Sequence, residues 1–251
     1  MHTNRKRMGV LAALCLSSLL GAGAHAATST FAPDEDVMTS AFFFGPNYVR
    51  GYVGDVRPAF RVGTDNAFGA GPETIYLDFS SVDLSSFDSS AVRATLTLRS
   101  VDGGFGANAG PGNPFTVSAH GVDADPFARI EDDTNPGGDI FWFDFFSENI
   151  LPADAAALSV VDCIDCDITF DVTALISSWI DAGDALQFIA LTGSNDTSGN
   201  DFLHGFRNNS DTLADEGFTF LSVSAVPVPA AVWLMLGALG IMVPAGRRQR
   251  S

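Results

Sequence analysis

The apolar residues in the middle of this chain come in short runs separated by turn clusters, and that spacing restricts the fold more than any other feature. Val92-Arg93-Ala94-Thr95-Leu96-Thr97-Leu98-Arg99 places Val92, Ala94, Leu96 and Leu98 on one side. A period of two is the mark of a half-buried strand. Short runs at Ile75–Phe79, Phe115–Ala119, Ile140–Phe146, Ile168–Phe170, Leu186–Leu191 and Phe218–Val223 read as further strands. Clusters of Gly, Asn, Asp and Pro at 103–114, 132–138 and 194–201 lie between them, which is turn chemistry. Many short strands with turn-rich connections predict an all-β domain, a single β-sandwich or jelly roll. One helix is predicted within it. Asp171 can cap it, Val172, Leu175, Ile176, Trp179 and Ile180 follow at helical spacing, and Gly183 lies just past its end. Its apolar stripe is expected to cover one opening of the sandwich, with Trp179 as a core plug.

Two segments with uncharged apolar stretches bracket this domain. In residues 1–26, Arg5, Lys6 and Arg7 precede the apolar stretch Met8–Leu20, and Ala24-His25-Ala26 follows. That order is a secretory signal peptide, with signal peptidase expected to cut before Ala27. At the other end, Val226 to Gly246 carries no charge. Its 21 residues span roughly 31 Å as a helix, enough to cross a bilayer core. Arg247, Arg248 and Arg250 follow at once, and basic residues hold such a tail on the cytoplasmic side. On its residues alone this is one C-terminal transmembrane helix, and residues 27–225 form the exported domain.

The ending Val226-Pro227-Val228-Pro229, then the apolar stretch, then Arg247-Arg248-Gln249-Arg250 resembles the PEP-CTERM sorting signal of Gram-negative, exopolysaccharide-producing bacteria. Val228 stands where that family usually has Glu. The resemblance covers residues 226–251. It implies recognition by an exosortase, a transient stay in the inner membrane, removal of the helix near Pro229, and release or attachment at the cell surface or extracellular matrix. It implies nothing about the chemistry of the domain.

Charge narrows the partners. The chain has 13 Lys+Arg and 30 Asp+Glu. Residues 27–225 keep seven Arg, no Lys and all 30 acids, a balance of −23. Phosphate backbones need neutralising cations, so a nucleic-acid partner is excluded. Such a surface attracts divalent cations and repels anionic polymers. It is either a solvated surface or the source of metal sites.

The candidate metal site is Asp132-Asp133-Thr134-Asn135-Pro136-Gly137-Gly138-Asp139 with Asp144 beyond it. Counted from Asp133, Asn135 takes position 3, Gly138 position 6 and Asp144 position 12. Hard calcium needs six to eight oxygens, and Gly137 stands where a ligand belongs. The segment is therefore no EF-hand. It is either an irregular calcium loop, with Asp132, Asp133, Asn135, Asp139 and Asp144 as ligands, or a turn. Asn195-Asp196 with Asn200-Asp201, and Asp162 with Asp165 and Asp167, are lesser candidates. Cys163 and Cys166 are the two cysteines of the domain. Export predicts a disulfide between them, and the acids around them disfavour the thiolate that redox chemistry needs.

His120 and His204 are the domain's histidines, and no Gly-x-Ser-x-Gly, His-Glu-x-x-His or P-loop occurs. No catalytic residue is assigned, and the reading is of a protein that is not an enzyme. Trp142, in Ile140–Phe146, is the candidate platform for stacking on a sugar. The strand carrying it also fits burial on both faces.

The runs Ile75–Phe79 and Ala94–Leu98, followed by Phe170-Asp171-Val172-Thr173-Ala174-Leu175 with Trp179, resemble the DNRLRE-type sandwich of bacterial surface proteins. Asp125-Pro126-Phe127 stands where that family has a Trp-rich stretch. The resemblance spans roughly residues 34–223 and implies a polysaccharide-associated β-sandwich. Three functions follow as expectations. The first is a surface or matrix structural protein associated with exopolysaccharide or biofilm. The second is a carbohydrate-binding module, calcium-dependent or not. The third is a secreted polysaccharide hydrolase or lyase using acids with His120 or His204.

Overall fold

The computed structural model describes residues 27–41, 49–53, 59–65, 70–102, 109–122, 124–127, 139–140, 157–183, 186–193, 202–208 and 219–226. The strands are β1 (Thr28–Phe31), β2 (Glu35–Ala41), β3 (Val49–Val53), β4 (Ala59–Asp65), β5 (Ala70–Asp78), β6 (Val92–Val101) and β7 (Phe115–Val122). They continue as β8 (Asp139–Ile140), β9 (Ala157–Val161), β10 (Asp167–Asp171), β11 (Phe188–Gly193), β12 (Phe202–Arg207) and β13 (Phe220–Ala225). Among the described residues one α-helix, α1 (Thr173–Ala182), lies between β10 and β11, and a single 3-10 turn covers Ser89–Ala91. The strands make one antiparallel sheet, curled as a half-barrel, in the order β1-β13-β6-β12-β4-β5-β11-β7-β9. Strand β10 joins β6, and β2, β3 and β8 branch from β5.

The alternation in β6 becomes its burial pattern. Val92, Ala94, Leu96 and Leu98 enter the core, while Arg93 is exposed. The pairs Ile168↔Leu98 and Phe170↔Leu96 add β10 to the same face. Opposite residues of an antiparallel pair share a face. Facing them are Ile75 and Leu77 of β5, Phe115 and Val117 of β7, and Ile189 and Leu191 of β11. Strands β5 and β11 are apolar on their other face too, where Val37, Tyr76, Val122, Phe127, Phe188 and Ala190 form a second cluster.

The curl starts at β5. Residues Thr74–Asp78 pair with β11, and the same residues pair with β2, so those two strands occupy opposite edges. Glu73 pairs with Ser40 of β2 and with Gly63 of β4. Strand β4 therefore takes over from β11 on one edge, and the two lead into different walls. Gly63 holds φ at 115° and the register shifts between Gly63 and Asp65, a β-bulge of the kind that bends a strand. The two strands meet backbone to backbone. A Cβ on Gly193 of β11 would lie 2.9 Å from the Gly63 Cα and would also strike the Phe115 ring.

Helix α1 begins one residue later than its sequence suggests. Val172 is the N-cap and makes no side-chain cap bond. Asp171 instead accepts a bond from the Thr173 N–H at 3.1 Å, a turn just ahead of the helix. The Thr173 hydroxyl accepts from the Ala94 N–H at 3.0 Å and ties that turn to β6. Gly183 closes the helix in the left-handed conformation and donates to the Trp179 carbonyl. Leu175, Ile176 and Trp179 are buried against the core.

The described residues are mostly β with one short α-helix, in a curled antiparallel sheet. The closing strand, expected over Phe218–Val223, runs Phe220–Ala225, and the strand expected from Leu186 starts at Phe188. Of Ile140–Phe146, only Ile140 lies among the described residues. No helix among the described residues is long and apolar enough to cross a membrane, and residues 227–251 lie outside them.

The contact between β4 and β11 gives a test. Gly193→Ala should destabilise the protein by about 1–3 kcal/mol, the usual cost of forcing a group into a packed site. Gly112→Ala is the control, because nothing lies within 4 Å of a Cβ there. Urea midpoints would separate the two, and equal midpoints would refute the close approach.

Candidate functional site

Asp132, Asp133, Asn135, Trp142 and Asp144 lie outside the described residues, as do Pro227, Val228, Pro229, Arg247, Arg248 and Arg250. Asn195, Asp196, Asn200 and Asp201 do too. Asp139 belongs to β8, with its side chain outside that description, and Val226 is exposed just after β13. Among the described residues no three His, Cys, Asp or Glu side chains come together as a metal site. Asp162, Asp165 and Asp167 are all exposed, and Asp167 pairs with Arg99 at 3.1 Å.

Cys163 and Cys166 stand at disulfide distance, with Cα atoms 6.1 Å apart. They close the turn between β9 and β10, where Asp165 takes φ 58°. Buried Ser100 of β6 holds this turn, and its hydroxyl also lies 3.4 Å from Cys166 Sγ. Its hydroxyl donates to the Cys163 carbonyl at 2.7 Å, and its N–H donates to the Cys166 carbonyl at 2.9 Å. Its own carbonyl accepts from the Asp165 N–H at 3.0 Å.

The two histidines occupy different surroundings. His120, in β7, is half-buried, and its Nε2 lies 3.1 Å from the Thr192 hydroxyl of β11. Burial holds its pKa below the usual histidine value. His204, in β12, is fully buried, and neither ring nitrogen has a hydrogen-bond partner. It pairs across to Val62 and packs edge-on against Phe206, with centroids 5.1 Å apart. Phe206, Val62 and Phe60 are core residues on that face. Burial lowers the His204 pKa to about 4, against a smaller opposing effect of Asp102. His204 is thus a neutral core side chain.

The described residues offer a concave site at the C-terminal end of α1. A cleft of about 310 Å³ opens between that end, the loop after β5 and the start of β11. Val82, Leu84 and Trp179 are buried and form its apolar wall. Gln187 is also buried, while Asp83 and Ser85 are exposed at the mouth. The Ser85 N–H donates to Asp83 Oδ1 at 2.9 Å. That bond and one from the Ser85 side chain hold the Asp83 carboxyl below the usual carboxylate range. Sequence reading missed this group because Asp83, Ser85 and Gln187 belong to no spaced motif. Trp179 was legible only as a core residue.

No protein-family model matches this chain, and no curated protein does.

His204 makes a pH prediction. Unfolded, it protonates near 6.5; folded, near 4. As pH falls between those values the unfolded chain gains a proton that the folded one refuses. Stability should therefore fall by about 1.4 kcal/mol per pH unit across that window, then level off. His120 adds to the fall, since burial lowers its pKa as well. In His204→Phe most of the slope should vanish, measured as denaturant midpoints from pH 7 to 4. A slope equal to that of the parent protein would mean His204 is protonated in the fold.

Proposed function

We propose that this protein is an exported, non-enzymatic structural component of the surface or extracellular matrix of a Gram-negative bacterium, sorted by an exosortase and associated with exopolysaccharide. The observation that carries this reading is the three-part ending: Val226-Pro227-Val228-Pro229, an uncharged stretch to Gly246, and Arg247, Arg248 and Arg250. A leader with Arg5, Lys6 and Arg7 at the other end supports it, because all 30 acids then fall in the exported part. A signal peptidase removes the leader, the apolar stretch holds the chain in the inner membrane, and the exosortase acts near Pro229. We further read the half-barrel as a distorted jelly-roll sandwich related to the DNRLRE type. The inner faces of β6 and β10 and those of β5, β7 and β11 share one core cluster, which supports two facing layers.

Deleting residues 226–251 should abolish surface or matrix display, scored by antibody labelling of intact cells and by fractionation. Undiminished display of the truncated protein would sink the reading.

Calcium is the proposed stabilising ion, held by Asp132, Asp133, Asn135, Asp139 and Asp144. Ligands that bind only the native state raise Tm in a saturable way. Calcium should therefore raise Tm, EDTA should reverse the rise, and the Asp133→Asn/Asp144→Asn variant should lack it. An unchanged Tm at several millimolar calcium would make that segment a solvated turn.

A further inference from the structure

We propose that β9 is a dimer edge, where two copies of this chain pair β9 with β9, antiparallel about Ser159, and so join their sheets. Pairing of this kind is independent of how the chain is sorted.

A strand with a neighbour on one side leaves every second backbone N–H and C=O without a sheet partner. Folded chains blunt such edges with charge, proline or shortness. Among the described residues β1, β8, β9 and β10 each have a single strand partner. Strand β8 has two residues and starts with Asp139. Strand β10 presents the exposed Asp167 and Asp171. Strand β1 has four residues, and three of them are the polar Thr28, Ser29 and Thr30.

Strand β9 has none of these defences. Its sequence, Ala157-Leu158-Ser159-Val160-Val161, holds no charge, Pro or Gly. All five residues pair with β7, so the whole strand is fixed as a template. Leu158 and Val160 are exposed, while Ala157 and Val161 face the core. Ile164, in the turn that follows, is exposed as well. These are three of the five large apolar side chains exposed among the described residues, so that exposure is concentrated at this edge. The Cys163–Cys166 pair and the Ser100 bonds hold the turn after the strand. An edge that is already ordered loses little freedom when it pairs.

The strand is its own complement. Antiparallel pairing centred on Ser159 puts Leu158 opposite Val160 of the second copy, and Ala157 opposite its Val161. Opposite residues share a face, so four exposed apolar side chains meet on the outer face. No residue of the strand is charged, so no like charges meet across the pair. The contact is isologous: it closes as a dimer and uses up the edge that makes it.

Charge separates this occupant from others. The domain's balance of −23 draws cationic partners, yet no residue of β9 offers a cation its counter-charge. The same balance pushes two copies apart at a distance. Salt shortens that repulsion, to about 8 Å at physiological ionic strength, and leaves backbone and apolar pairing intact. Self-association through β9 therefore strengthens with salt, whereas docking of a cationic partner weakens.

The test is analytical ultracentrifugation of the purified full chain in a non-ionic detergent, at about 0.15 M and about 0.5 M NaCl. A monomer–dimer equilibrium is expected, with a Kd that falls at the higher salt. The Leu158→Lys/Val160→Lys variant should raise Kd about tenfold or more, since lysine is a natural guard of strand edges. Both side chains are exposed, so the variant should keep the parent's circular dichroism and Tm. Ser159→Cys reports the register without depending on that variant. Mild oxidation should join two copies through position 159, and Thr30→Cys on the edge of β1 should give no such product. A monomer at every concentration would overturn the proposal, as would a dimer that dissociates with salt. A dimer unchanged by the two lysines would place the contact elsewhere, the apolar C-terminal stretch included. A dimer in which Ser159→Cys stays unlinked would refute the pairing about Ser159. Surface display of the double-lysine variant should be normal, so failure here is distinguishable from failure of the sorting reading.

Discussion

One edge of β5 is shared by two strands, and the shape of the domain depends on that division. Strand β11 pairs with the later part of the edge and β4 with residues 70–73. Both fit only because Gly63 and Gly193 bring their backbones together without side chains. Beyond this point β11 leads to β7 and β9, while β4 leads to β12 and β6. A flat sheet would leave both inner faces wet. Divergence at β5 lets them face each other and bury one continuous apolar core.

That junction also explains a pair of buried charges. Arg61 of β4 and Glu73 of β5 meet at 2.5 Å, with side chains 9% and 0% exposed. Burying two ions costs several kcal/mol each before their attraction is counted, so such a pair is weak evidence for net stability. Its effect here is on register. A carboxylate and a guanidinium this deeply buried tolerate few other pairings, so they fix which residue of β4 reaches β5 at the bulge. The Arg61 N–H also lies 3.0 Å from Met38 Sδ of β2. Three strands therefore converge on one residue that a hydrophobicity pattern would place outside.

The legible parts of the fold were those where local pattern and tertiary burial agree. Strand β6, with its strict alternation, and α1, with its stripe and Gly183 end, could be read from the sequence. Strands β4 and β12 could not. Arg61 and Gly63 interrupt β4, while His204 and Gly205 interrupt β12. These residues are tolerated because of neighbours distant in the chain, such as Glu73 for Arg61 and Val62 for His204. Strand β9, Ala-Leu-Ser-Val-Val, was missed for another reason. Leu158 is 65% exposed and Val160 57% exposed, so two of its larger apolar residues point away from the core while Ala157 and Val161 face it. The cleft was illegible on similar grounds, since its residues come from the loop after β5, the end of α1 and the approach to β11.

The acidity itself gains a structural account. The domain has 25 Asp against five Glu, and solvation alone gives no reason for that preference. Five of those Asp accept a backbone N–H two residues on: Asp78 from Ser80, Asp83 from Ser85, Asp88 from Ser90, Asp125 from Phe127 and Asp171 from Thr173. In the Asp83, Asp88 and Asp171 turns the following hydroxyl also contributes, and the carboxyls are held below their usual range. Only a short side chain closes such a turn; Glu is one methylene too long. The Asp83, Asp88 and Asp171 carboxylates hold their turns while ionised, so those three turns loosen as pH falls below the ordinary carboxylate value. Many strands need many connections, and each connection built this way adds a negative charge to the surface. The same Asp-x-Ser device that shapes the loop after β5 leaves the ionised Asp83 at the mouth of the cleft.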